Sequence, residues 1–446
     1  MSKSQFRLSK CARPNILALQ PYRCARDDYK DDGTNILLDA NENAYGPGLD
    51  LDEEAGINGG SNRGPNGGPN GGPNGGPTSS GKIKVDLLGL NRYPDPHQHH
   101  LKNLLCTLRN NHTHTTKNLT PANLFVGVGS DEAIDNLLRC FCTPGKDKIL
   151  TCPPTYGMYA VSAQVNDISV VHVPLLPEQQ FAVDVPKILE KLSSDPAIKL
   201  IYLCSPGNPT GTLIPKESVL PILDHPTWNG IVVLDEAYID FAPENSSLAE
   251  WVLEFPNLVV MQTLSKAFGL AGIRLGAAFT DPAIASLLNN LKAPYNISNP
   301  TSQLACTALQ PKHLKVMESK KAKILVQRDR LLKDLPKVSG IGRFRGGTAS
   351  NFLLVEILDK QGKPSNEVAL KVYEALAEEK GVVVRFRGKE LGCFGCLRIT
   401  VGTKEEVDRF LKEIDLVISS VHLGSPGLSG VMEEEKKEKA ANDVLA

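Results

Sequence analysis

Four polar clusters stand at the ends of short apolar runs, and their residue types are complementary. FVGV is followed by Gly129-Ser130-Asp131, and LIYLC by Ser205-Pro-Gly-Asn-Pro-Thr-Gly211. IVVLD ends at Asp235, with Glu236-Ala237-Tyr238 behind it; LVVMQTL leads into Ser265-Lys266, and Arg274 stands eight residues beyond the lysine. Alone, each has a plain reading. An acid at a strand end is usually a cap, a lysine there is usually solvated, and SPGNPTG is a tight turn. Together they supply parts of one reaction. An amine with a depressed pKa condenses with an aldehyde, and Lys266 with Arg274 close by fits that place. A buried carboxylate keeps a pyridine nitrogen protonated, as Asp235 could. A helix start at Ser130 and Asp131, the Ser265 hydroxyl and the Arg274 guanidinium can hold a phosphate. Asn208 and Tyr238 suit a phenolate oxygen, and Tyr156, in PPTYGMY, suits a ring face. An aldehyde, a pyridine ring and a phosphate in one molecule describe pyridoxal 5′-phosphate.

These groups need a scaffold that brings them together. Apolar runs at 124–128, 148–152, 169–173, 200–203, 231–234 and 258–262 alternate with helical stretches. Continuous apolar strands of this kind predict a largely parallel sheet covered on both faces, which binds ligands beyond the carboxyl ends of its strands. From about residue 302 the pattern changes to a long helix over 303–335, a strand at 351–357, a helix over 366–379 and strands at 382–385 and 396–400. That predicts a smaller α+β domain. The boundaries read as an N-terminal arm (1–48), an insertion (49–90), a large domain (91–300), a small domain (301–418) and a tail (419–446). The insertion contains GPNGGPNGGPNGGP, which has no side chains to offset the cost of ordering, so a flexible segment without chemistry is expected there. The charged tail (EEEKKEK) predicts a frayed helix or a disordered end.

Composition narrows the classes further. A net charge of -1 argues against nucleic acid or an anionic membrane as partner. No apolar run reaches the ~18 residues of a membrane span, and MSKSQFRLSK lacks the apolar centre of a secretory signal. A cytoplasmic location is expected, with an organelle left open by early basic residues such as Lys3, Arg7 and Lys10. The ten cysteines show no framework spacing and read as reduced, buried thiols. Neither the single C-x-x-C (Cys393, Cys396) nor the cluster His97, His99 and His100 has the further ligands a metal needs, so no metal is expected.

The ordered set SPGNPTG, DEAY, SKAFGLAGIR and GCLRIT resembles the fold-type-I aminotransferases of the aspartate aminotransferase superfamily. LDANENAYGP and NRYPDP, joined to TLSKAFGLAGIRLG, narrow the resemblance to the histidinol-phosphate aminotransferase family, over about 13–416 apart from the insertion. The resemblance implies an α/β fold, with a mostly parallel seven-stranded sheet between helices and a smaller α+β domain. It implies pyridoxal phosphate as cofactor. The implied reaction is transamination between L-glutamate/2-oxoglutarate and imidazole-acetol phosphate/L-histidinol phosphate, in L-histidine biosynthesis. Position by position, Lys266 matches the Schiff-base lysine that also shuttles the proton, and Asp235 the partner of the ring nitrogen. Asn208 and Tyr238 match the donors to the ring oxygen; Ser130, Asp131, Ser265 and Arg274 match the phosphate cup. Arg398 matches the arginine that receives a carboxylate, or here the substrate phosphate, with Arg385 as a second cation. Asn208, Tyr45 and Tyr93 match residues at the substrate, Tyr93 from across a dimer interface, which implies a homodimer with shared sites. The sequence departs from the family pattern at Gly207, where Asn is common, and at Ala44, where Pro is frequent. The alternatives are an aromatic or broad-range aminotransferase and an amino-acid-phosphate decarboxylase of the same fold. A transcriptional regulator built on such a domain would need a basic helical module that neither end of the chain offers.

Overall fold

The computed structural model describes residues 28–29, 34–49 and 91–423. The Asn-Gly-Gly-Pro stretch and the EEEKKEK segment lie outside these residues.

In chain order the elements are β1 (Ile36–Leu37), α1 (His99–Arg109), β2 (Leu124–Val128), α2 (Gly129–Phe141), β3 (Lys148–Thr151), α3 (Met158–Val165), β4 (Ser169–His172), α4 (Val185–Ser194), β5 (Ile198–Cys204), α5 (Lys216–Leu223), β6 (Ile231–Asp235), β7 (Leu258–Thr263) and β8 (Leu275–Thr280). They continue with α6 (Pro282–Leu291), α7 (Asn299–Ala308), α8 (Pro311–Asp334), β9 (Ile341–Arg345), β10 (Phe352–Ile357), α9 (Asn366–Glu378), β11 (Val382–Val383), β12 (Arg385–Phe386), β13 (Cys396–Thr400) and α10 (Lys404–Leu423).

The large sheet has seven strands in the order β2-β8-β7-β6-β5-β3-β4, and the chain is an α/β protein. Only β8 runs against its neighbours β2 and β7; β7, β6, β5, β3 and β4 pair in parallel. Both faces of the inner strands are buried, which is why these read as unbroken apolar runs. On β2, Phe125 packs into the layer containing Ile134, Leu137 and Leu288, while Leu124 and Val126 pack with Leu101 and Leu105 on the other face. Six of the seven strands have clear apolar signals; β8 (LGAAFT) does not. Its small residues have a reason, since a Cβ on Gly276 would lie 2.4 Å from Ser130 N.

The second sheet, β12-β13-β10-β9, is antiparallel throughout. The expected single helix over 303–335 is two helices, because Pro311 puts Gln310 in an extended conformation (ψ 150) and starts α8. The expected strand at 382–385 is likewise split, into β11 and β12. Residues 419–423, expected in the tail, belong to α10, and His422 is hydrogen bonded to Leu358 O at 2.9 Å. The arm joins the small domain: β1 pairs with β11, and Thr400 N donates to Leu38 O at 3.0 Å. Among the described residues, no helix is long and apolar enough to cross a membrane, and no group of three or more His, Cys, Asp or Glu could hold a metal ion.

Candidate active site

A cavity of about 270 Å³ opens at the carboxyl edge of the large sheet. The topology explains its contents. Ser130 and Asp131 follow β2, Asn208 follows β5, Asp235 closes β6, and Ser265 and Lys266 follow β7. Because β8 runs backwards, Arg274 at its start reaches the same edge. The small sheet adds Arg385 and Arg398, and the arm adds residues 39–42.

Lys266 is half-buried, and its Nζ donates to Ala40 O at 3.1 Å. Burial lowers its pKa to about 8, helped next by the Arg398 guanidinium; Arg274, the cation expected from the sequence, is a smaller influence. Asp235 is also buried, and burial raises its pKa to about 6 against the hydrogen bonds it accepts. Those come from Tyr159 Oη at 2.6 Å and Ala237 N at 3.1 Å. Tyr159 stacks on Tyr202 with ring centres 4.7 Å apart, so the hydroxyl that fixes the carboxylate is itself rigid.

Asn208 Oδ1 accepts from Arg398 Nη1 at 2.7 Å, which turns the amide so that Nδ2 is the group left to donate. Tyr238 Oη accepts from Asn41 Nδ2 at 2.9 Å and keeps its own proton to give. Arg398 also donates to Asp39 O. Ser265 Oγ accepts from Thr263 Oγ1 at 2.9 Å.

At the other end of the cavity Asp131 accepts from Tyr156 Oη at 3.1 Å and from Arg274 Nη2 at 3.4 Å. Gly129, at the start of α2, has φ +68°, and a Cβ there would meet Arg274 Nη2 at 2.7 Å. A side chain is excluded, so the guanidinium lies against the first turn of the helix, where backbone N–H groups are unspent.

The structure thus gathers Ser130, Asp131, Tyr156, Asn208, Asp235, Tyr238, Ser265, Lys266, Arg274, Arg385 and Arg398 around one cavity. Tyr45 and Tyr93 are not in its wall within the single chain. Tyr45 packs beneath Lys323, whose Nζ lies 5.8 Å from the ring centre. Tyr93 is 80% exposed and stacks on Tyr295 at 4.5 Å. Arg385 forms an ion pair with Asp28. Sequence reasoning missed Tyr159, Asn41 and Arg387. Tyr159 sits three residues after Tyr156, in the first turn of α3, and Asn41 lies inside the LDANENAYGP motif, where it carried no separate signal. Cys393 and Cys396 are buried free thiols.

The chain matches the family model for aminotransferase class I and II over residues 84–414. It is 50% identical to the histidinol-phosphate aminotransferase of Schizosaccharomyces pombe, over 94% of this chain and 99% of that one. It is 49% identical to that of Candida maltosa, over 94% and 100%. Among solved structures, the histidinol-phosphate aminotransferase of Sinorhizobium meliloti in complex with pyridoxal-5′-phosphate superposes with a TM-score of 0.73 at 23% identity, covering 94% of this chain and 99% of that one. At that identity the match speaks for the fold.

Proposed function

We propose that this chain, which belongs to the aminotransferase class I and II family and within it to the histidinol-phosphate aminotransferases, moves an amino group between L-glutamate and imidazole-acetol phosphate in histidine biosynthesis. The observation that carries the reading is a half-buried lysine with a lowered pKa in one cavity with a buried aspartate and with two arginines paired across a sheet.

The residues fit pyridoxal phosphate. Gly129 makes room for Arg274 against a helix start, a cradle for a phosphate; Asp235 is buried and fixed by Tyr159, suited to a ring nitrogen; Lys266 has a lowered pKa suited to an aldehyde. When bound, that cofactor supplies an electron sink for the charge left when a proton leaves the substrate carbon. The backbone of the Ser130–Asp131 turn, with Ser265 and Arg274, would hold its phosphate, and Tyr156 would lie against the ring. Asn208 and Tyr238 donate to the ring oxygen through the Nδ2 and Oη protons that their other contacts leave over. Asp235 would hold the proton on the ring nitrogen. Lys266 takes the proton from the substrate carbon and returns it to the adjacent atom, a shuttle that needs an amine close to neutral at the working pH. Arg398 and Arg385 bind the substrate phosphate, or the carboxylates of glutamate, as charge-assisted forks.

Tyr93 belongs to the proposal as a residue offered to a neighbouring copy, in a homodimer with shared sites. Its exposure beside Tyr295 supports this. A cytoplasmic location is part of the same reading.

A substrate panel tests the assignment. Purified protein given 2-oxoglutarate turns over histidinol phosphate with a kcat/KM well above that for phenylalanine or aspartate. The reverse ranking would assign the chain to the aromatic or broad-range enzymes instead. A second expectation concerns loading. Condensation needs the free amine, so cofactor capture by the cofactor-free protein quickens as pH rises and levels off above about 8. Levelling only near the ordinary lysine value would refute the lowered pKa of Lys266.

A further inference from the structure

The small sheet brings a third guanidinium to the cavity. Arg385 and Arg398 face each other directly across β12 and β13, and Arg387 lies two residues beyond Arg385, on the same side of the strand. Arg385 and Arg387 keep only 15% and 19% of their side chains exposed, and Arg398 is buried. Like charges opposed across a sheet destabilise it, so three together call for anions, and Asp28 supplies one to Arg385.

Arg387 has one built-in anion, used sparingly. Its Nη1 meets Glu390 Oε1 at 2.6 Å. Arg387 Nε and Glu390 Oε2 are both buried without a hydrogen-bond partner. A guanidinium and a carboxylate that pair fully often make two parallel contacts; here they make one, and Arg387 Nε is left over. Arg387 stands in the wall shared by the cavity that contains Lys266 and a neighbouring one of about 420 Å³, whose wall includes Thr155, His172, Glu390 and Leu391. The two also share Tyr156, Asn208 and Arg385.

We infer that Arg387 is a specificity-determining residue: beside Arg385 and Arg398 it takes an oxygen of the substrate's phosphate, and Glu390 fixes its position and tempers its charge. The inference rests on the proposed reaction and adds a residue to it. A dianionic phosphate has oxygens for three guanidiniums, whereas a plain carboxylate has two.

The opposite roles of the two partners supply the test. Steady-state kinetics with histidinol phosphate, and competitive inhibition by inorganic phosphate, are measured for the wild type, Arg387→Gln, Arg387→Lys and Glu390→Gln. Arg387→Gln raises both KM and the inhibition constant about tenfold, the order expected for one charge-assisted contact, with kcat changed far less. Arg387→Lys recovers part of that loss. Glu390→Gln frees the guanidinium and lowers both constants. If Arg387→Gln leaves both within twofold, or if Arg387→Gln and Glu390→Gln raise them alike, Arg387 is a structural partner of Glu390 and the inference falls. A wild-type enzyme that prefers phenylalanine would overturn the proposed reaction instead, while phosphate inhibition would still read the anion contact directly.

Discussion

Replacing Lys266 by alanine abolishes transamination, lowering kcat by at least about 10⁴-fold, the upper range for a positioned acid–base group, with its covalent role lost as well. The group removed is the half-buried amine that shares the cavity with Asp235, Asn208 and Arg398. The fold should survive the change. Lys266 donates to Ala40 O, and its pKa of about 8 shows that burial opposes its charge. Losing it therefore relieves a cost of burial as much as it removes a contact. Cofactor is still captured through the phosphate cup, but the visible absorbance of the lysine-linked form is absent. Three measurements check this together: turnover, near-ultraviolet circular dichroism and the absorbance of reconstituted protein. Retention of more than about one per cent of kcat would remove Lys266 from the shuttle, since general acid–base catalysis is worth about 10²–10⁴-fold.

The chemistry-bearing residues were the most legible part of this sequence, and the reason is topological. In a parallel sheet every strand delivers its last residues to the same edge, so polar clusters behind successive apolar runs must meet there. Lys266, Asp235 and Asn208 could be placed together without knowing any distance. What escaped depends on contacts between distant segments. Tyr159 reads as one more core aromatic until its hydroxyl is seen 2.6 Å from Asp235. The cation that most lowers the Lys266 pKa is Arg398, 132 positions away in number (398 − 266) and on another sheet, not the sequence neighbour Arg274. Strand β8 was silent because its job is close approach: Gly276 against Ser130 excludes the large residues that announce a strand. The break before α8 was readable, for Pro311 stands at the end of the first helical pattern, and the apolar spacing on either side masked it. Tyr45 and Tyr93 mark a different limit. They were matched to a site that two chains build, and one chain shows only that Tyr93 is turned outwards.

Asp235→Asn separates catalysis from stability in opposite directions. A buried ion pair broken on one side costs about 3–5 kcal/mol, so loss of the carboxylate proposed to pair with the ring nitrogen lowers kcat by about 10²–10⁴-fold. The cofactor-free protein responds the other way. Burial raises the Asp235 pKa from the usual carboxylate range to about 6, so the folded state holds this proton more tightly than the unfolded chain does. That contribution to stability is complete below the unfolded value near 4 and is lost as pH rises through about 6, a difference of roughly 3 kcal/mol at 1.36 kcal/mol per unit. Asparagine is neutral throughout and can still accept from Ala237 N and bond to Tyr159 Oη, so it carries no such loss. Without cofactor, the variant should therefore match the wild type at pH 4 and exceed it at pH 7.5. With cofactor the order narrows or reverses, because the ring's positive nitrogen compensates the wild-type carboxylate alone. Thermal unfolding of both proteins, with and without pyridoxal phosphate at the two pH values, resolves the four cases. A wild-type apoprotein that gains stability on Asp235 ionisation, or a variant within tenfold of wild-type kcat, would show that this carboxylate is not held in reserve for a cation. In the proposed reaction the buried acid is half of a pair: the cost of its charge without cofactor is what would give a protonated ring its preference for this site.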